Sequence, residues 1–123
     1  MALQPEQIEH INVVNWFNYQ FPEFENDLHH FANERKCSIQ QGRTLKRMGV
    51  KKGVADFFLA IPHKGKSGLW VELKVGKNKV TKEQEAFLNQ KSIRGYSVSI
   101  ALGFEAAKNA IMEYLKDYKS NSK

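Results

Sequence analysis

A chain of 123 residues with a 41% hydrophobic share fits one domain around one core, without help from disulfides or structural metals. Cys37 is the only cysteine, which excludes an intramolecular disulfide and points to a reducing, cytoplasmic setting. The net charge of +6 and pI near 9.5 favour a polyanionic partner, and no signal peptide or membrane-length apolar run is visible.

In chain order, Pro5 suits the first turn of a helix and Glu6 suits its positive end. Ile11, Val14, Phe17 and Phe21 recur at helical spacing, widened by Val13 and Trp16, until Pro22 ends the stripe. Leu28–Ala32 is expected as a short strand. Ser38 and Gln41 have the form of a capping box, and Gly49 the form of a stop for the helix they open. Val54–Ile61 and Leu69–Val75 read as strands, and the Pro and Gly of the connector Pro62-His-Lys-Gly-Lys-Ser-Gly68 predict a hairpin. Thr81 and Gln84 form another capping box, opening a helix with Phe87 and Leu88 that ends at Gly95. Tyr96–Leu102 reads as a strand, and Phe104, Ala107, Ile111 and Tyr114 mark a last amphipathic helix. One domain over 1–115 is expected, followed by a polar tail at 116–123 that frays. The order α, β, α, β, β, α, β, α predicts an α/β fold with a mixed sheet flanked by helices.

Charge is placed unevenly. No acidic residue falls between Arg35 and Ala55, a stretch that holds Arg35, Lys36, Arg43, Lys46, Arg47, Lys51 and Lys52. A second acid-free stretch, Leu73 to Lys82, holds Lys74, Lys77, Lys79 and Lys82. Solvated faces are one reading of these stretches, and phosphate contact is the other.

The carboxylates beside them favour phosphate contact. Glu72 and Lys74, two apart on a strand, project from one face. Fifteen residues separate Asp56 from Glu72, and the midpoint, Lys64, lies in the expected turn. A hairpin centred there sets Asp56 opposite Glu72, with Cβ atoms roughly 5 Å apart. Two such carboxylates repel unless a cation joins them, and a hard divalent ion is the natural choice. Lys74 then stands where it can orient water or offset charge on a phosphate. The alternative is an edge-strand salt bridge.

Gly53-Val-Ala-Asp56-Phe-Phe-Leu, Gly68-Leu-Trp-Val-Glu72-Leu-Lys74, Lys79-Val-Thr-Lys-Glu-Gln84 and Gly95-Tyr96 together resemble the VRR-NUC nucleases, a branch of the PD-(D/E)xK superfamily. Glu6 with His10 and Trp16, Asn33-Glu34, and Leu45-Lys-Arg-Met-Gly49 extend the resemblance over nearly the whole chain. Ala55 departs from it, since the family usually has proline before the catalytic aspartate. The resemblance implies a restriction-endonuclease-like core and a metal site of Asp56, Glu72 and the Leu73 carbonyl, with Lys74 beside it. It also implies a carboxylate from the first helix, best matched by Glu6 with Glu9 as runner-up, and a nearby glutamine, Gln84. The capping roles of Glu6 and Gln84 stand as alternatives.

His10, one turn from Glu6, is a candidate neighbour of the site. His29, His30 and His63 read as surface or core residues, because no Cys/His spacing here marks a zinc site. Trp16 and Phe24 are large residues without an evident place, and so are candidates for an interface. The expected function is a deoxyribonuclease using Mg²⁺ or Mn²⁺, a homodimer selective for branched DNA such as four-way junctions. Arg43, Lys46, Arg47, Lys51, Lys52, Lys77 and Lys79 would hold the DNA. A flap or duplex-end nuclease and a catalytically silent DNA-binding module are the rivals.

Overall fold

The computed structural model describes residues 2–32 and 38–119, so the readings placed on Asn33 through Cys37 lie outside the described residues. Helix α1 (Pro5–Gln20) starts with Pro5 in its first turn, where a missing N–H costs nothing. It stops where Pro22 opens a 3-10 segment, Pro22–Asp27. Strand β1 (Leu28–His30) follows, then helix α2 (Ile39–Arg47), capped as expected by Ser38 and Gln41. Gly49, at φ +93, takes the left-handed position just past that helix.

Strands β2 (Phe57–Leu59) and β3 (Leu69–Lys74) form the hairpin. Its turn has the type I′ pattern: Lys64 and Gly65 both have positive φ, and His63 and Lys66 exchange backbone hydrogen bonds of 3.0 and 2.9 Å. Helix α3 (Lys82–Ile93), strand β4 (Ser97–Leu102) and helix α4 (Gly103–Leu115) complete the order expected from the sequence. The sheet runs β1-β2-β3-β4, antiparallel in its first two pairings and parallel in the last.

Alternation along β3 divides the core. Leu69, Val71 and Leu73 pack with Phe57 and Leu59 beneath α1 and α4, against Val13, Phe17, Ala107 and Ile111. Trp70, on the other face, packs with Ala55, Phe58 and Val98 beneath Leu88 and Phe87 of α3. The result is a four-stranded mixed sheet with helices on both faces, an α/β fold of the restriction-endonuclease-like kind.

Three expectations change. The first β-run, expected over Val54–Ile61, is regular only from Phe57 to Leu59. Ala55 packs with the α3 cluster while Phe57 packs with the α1–α4 cluster, so strict alternation fails between them, at Asp56. Trp16 and Phe24 are not spare surface: Trp16 makes edge contacts with Phe21 and Phe104, and Phe24 stacks on Phe21 and meets Tyr118. That last contact also anchors the start of the segment expected to fray, where the Lys116 carbonyl lies 2.8 Å from His63 Nε2.

Candidate active site

The β2–β3 register ends at Phe57↔Val71, one step short of Asp56 and Glu72; extending it by that step would set the two opposite each other, about the midpoint read from the sequence. The turn itself sits half a residue later than that midpoint. Three residues, Ala60-Ile61-Pro62, face two, Ser67-Gly68, and absorb the difference.

Asp56 is buried at the bend where the β2 ladder ends. Its Oδ2 accepts the Leu73 N–H at 2.8 Å, taking the place a strand carbonyl would occupy. In an extended strand the N–H and C=O of one residue point to the same edge, so the Leu73 carbonyl is turned towards Asp56 as well. Glycine is required just upstream. Gly53 has φ +82, and a Cβ there would stand 2.6 Å from the Glu83 carbonyl carbon. That close approach seats the first turn of α3 against the segment running into Asp56.

Glu72 is 1% exposed, and no N–H or O–H donor of another described residue reaches its Oε1. Lys74 Nζ lies 3.2 Å from the other oxygen, Oε2. Burial, then repulsion from Asp56, push the Glu72 carboxyl up to about 7, against the partial opposition of Lys74. Asp56 goes the other way. Burial alone would raise it, but His10, the Leu73 N–H and the Glu72 carboxyl together hold it below the usual range. Glu72 thus keeps its proton up to near neutral pH while Asp56 is ionised, and the pair carries two full charges only above that.

His10 Nε2 stands 3.6 Å from Asp56 Oδ2, within ion-pair reach when the imidazole is protonated. The sequence placed His10 near the site but missed His30. That residue pairs with Phe57 across β1 and β2, and its ring lies 4.8 Å from His10 and 5.0 Å from Phe57. Burial and His10 lower the His30 pKa, with Asp56 opposing them. The available signal was positional: a strand at Leu28–His30 beside β2 brings one histidine of the pair next to Asp56.

Other expected residues stand farther out. Glu6 is half-buried, one helical turn before His10 on α1. Glu9 is committed elsewhere, its Oε1 accepting the Phe104 N–H at 3.2 Å at the start of α4. Gln84 Oε1 accepts the Thr81 N–H at 2.9 Å, the capping role named as its alternative. Arg43, Lys46 and Arg47 are exposed on α2, a helix with no buried residue. Lys51 and Lys52 are exposed shortly before Asp56, and Lys77 and Lys79 shortly after Lys74.

A solved structure described as a VRR_NUC domain protein superposes on this chain with a TM-score of 0.80, covering 94% of this chain and 92% of the other at 25% identity. The chain carries a VRR-NUC domain. No family model matches the sequence, and no curated protein matches it. The VRR-NUC likeness therefore rests on shape over nearly the full length of both chains, and it makes this a nuclease-type domain.

The donor chemistry fits a divalent cation in such a VRR-NUC site. Two adjacent buried carboxylates, one with an oxygen lacking any donor, form a harsh environment for charge that a hard cation relieves. Among the described residues, no helix is long and apolar enough to cross a membrane.

Proposed function

We propose that this domain hydrolyses DNA phosphodiester bonds with Mg²⁺ or Mn²⁺, using Asp56, Glu72 and Lys74. The observation that carries the reading is Glu72, buried beside Asp56, with one oxygen paired to Lys74 and the other without a donor. Asp56, Glu72 and the Leu73 carbonyl would hold the ion, which when bound supplies a Lewis acid and an acidified water.

Asp56 is oriented for this by the Leu73 N–H, which fixes one carboxylate oxygen and so the direction of the other. Lys74 places its ammonium beside Glu72, where it can stabilise charge growing on a non-bridging phosphate oxygen. Glu6 would add a carboxylate from α1 at the outer side of the site. Gln84 would steady the first turn of α3 beside Gly53 and offer its amide N–H groups to the strand.

The basic residues supply affinity. Lys51, Lys52, Lys77 and Lys79 flank the two strand segments that bear the carboxylates, and Arg43, Lys46 and Arg47 extend the positive surface along α2. Phosphate contacts of this kind bind without reading sequence. We take the whole of 1–115 as this one domain, acting in the cytoplasm.

Selectivity for branched DNA such as a four-way junction follows if two copies act together, because a dyad presents paired sites to two strands. Support for a homodimer comes from β4, one of the two edge strands among the described residues, where Ile100 and Leu102 are 51% and 70% exposed. The test is a panel of junction, flap, single-stranded and duplex DNAs incubated with Mg²⁺ or Mn²⁺. Paired nicks on opposing strands of the junction are expected. Equal cutting of duplex and junction would remove the selectivity, and no cutting of any DNA would leave only a DNA-binding module.

A further inference from the structure

We propose that His10, His30 and Asp56 form a second cation site, one that takes a transition-metal dication of the zinc class. The inference goes beyond hydrolysis and shares only Asp56 with it. The three side chains come from three elements, α1, β1 and the bend before β2, and are far apart in sequence. Their donor atoms nevertheless all lie within 4.8 Å of one another.

The donor set decides the ion. Two imidazoles and one carboxylate are poor partners for Mg²⁺, which asks for oxygen ligands in octahedral array. They suit Zn²⁺ and Co²⁺, which bind imidazole nitrogen and carboxylate oxygen in sites of three protein ligands and one open position.

Geometry agrees. Donors around a tetrahedral ion sit roughly 3.3 Å apart, given bonds near 2.0–2.1 Å. His10 Nε2 and Asp56 Oδ2, at 3.6 Å, are nearly there already. The remaining closure falls on His30, which is exposed and can turn about its side-chain torsions. Both imidazole rings lie against Phe57, at 5.5 Å for His10 and 5.0 Å for His30, so one buried residue holds the pair side by side. The carboxylate is braced by the Leu73 N–H, the kind of outer support metal ligands need. His29, the adjacent residue, points to the opposite face of β1 and serves as the control.

The test is titration of tag-free protein with Co²⁺ in metal-scrubbed buffer, followed by visible d–d absorption, with no DNA present. Wild type should bind one Co²⁺ with the bands of nitrogen ligation, and Zn²⁺ should bleach them at near-equal concentration where excess Mg²⁺ does not. His30→Gln and His10→Gln should each weaken binding at least tenfold. His29→Gln and Glu72→Gln should retain the spectrum. Since His30 is exposed, its variant tests the site without touching the core, and circular dichroism checks the His10 variant. Loss of binding in Glu72→Gln with retention in both histidine variants would overturn the proposal, placing the ion on the oxygen ligands instead. So would unchanged Co²⁺ affinity in both histidine variants, absence of Co²⁺ binding by wild type, or displacement by Mg²⁺ as readily as by Zn²⁺. None of these readouts needs cleavage, so failure here and failure of the nuclease reading are separately visible.

Discussion

The Asp56 carboxylate accepts the Leu73 N–H at 2.8 Å, so a side chain stands in for a strand carbonyl at the point where β2 stops. This single bond ties the first carboxylate to the strand that bears the second, Glu72, and the lysine beyond it. Asp56→Ala should therefore do more than remove a ligand: it leaves a buried donor unpaired, at a cost of about 1–3 kcal/mol. Asp56→Asn keeps an acceptor oxygen and should retain most of that stability while losing metal binding. Urea denaturation beside Mg²⁺ titration separates the two effects, and equal stability of the two variants would show the Leu73 bond to be unimportant.

A proton held on Glu72 makes stability depend on pH. The folded carboxyl titrates near 7, against an ordinary value of 4.5, so between those values the folded state carries a proton that the unfolded chain has released. Stability of the metal-free protein should then fall as pH rises from 4.5 through 7, by up to about 3 kcal/mol, and level off above. Asp56, with its lowered pKa, acts only at more acidic pH, and the lowered His30 pKa acts in the opposite direction below 6.5. Comparing wild type with Glu72→Gln isolates the term, because the slope assigned here should vanish in the variant. Added Mg²⁺ should recover stability most strongly above pH 7, where Glu72 gives up its proton with least cost. Parallel pH profiles for the two proteins would contradict the assignment.

Much of this arrangement was legible in the sequence for definite reasons. The hairpin could be read because Pro62 and Gly68 bracket the connector, and the strand register fell about Lys64 even though the turn lies half a residue later, because the extra residue in Ala60-Ile61-Pro62 absorbs the difference. The capping boxes at Ser38 and Thr81 were visible as residue pairs and formed as expected. What the residues did not announce was tertiary. The bend at Asp56 depends on α3 pressing against Gly53, a contact between segments thirty residues apart in sequence. His30 read only as a surface or core residue until β1 docked beside β2, and Trp16 and Phe24 had no evident place until they packed with Phe21, Phe104 and Tyr118. Glu9, periodic with the rest of α1, turned out to cap a helix that starts ninety-four residues later, at Gly103.

Binding and chemistry should separate by residue. Lys74→Ala should lower cleavage about 100-fold or more, while DNA affinity stays within about threefold, because one cation among many adds little to total phosphate attraction. Lys46→Glu with Arg47→Glu should weaken binding and reduce its salt slope by roughly one per lost phosphate contact. Fluorescence anisotropy across a salt series, run beside single-turnover cleavage, distinguishes them. A Lys74→Ala protein that cuts normally would exclude the role given to the ammonium.

The far end of the fold offers a structural check independent of the site. Tyr114 donates its hydroxyl to the Ile61 carbonyl at 2.7 Å, from the last turn of α4 to the strand connector. Tyr114→Phe keeps the ring and strands a buried carbonyl, so thermal unfolding should report a loss of about 1–3 kcal/mol with cleavage unchanged. A loss of cleavage at permissive temperature would mean that this end of the molecule reaches the site.

The central claim is that Asp56 and Glu72 together make a metal-dependent hydrolytic centre. It is tested most directly by single-turnover cleavage of a labelled four-way junction and its duplex arms, with wild type and Glu72→Gln at saturating protein. With Mg²⁺ or Mn²⁺ the wild-type protein should cut, with EDTA it should not, and Glu72→Gln should bind the same DNA while losing cleavage by about 100-fold or more. Cleavage that persists in EDTA, or a Glu72→Gln protein that cuts at the wild-type rate, would contradict the account.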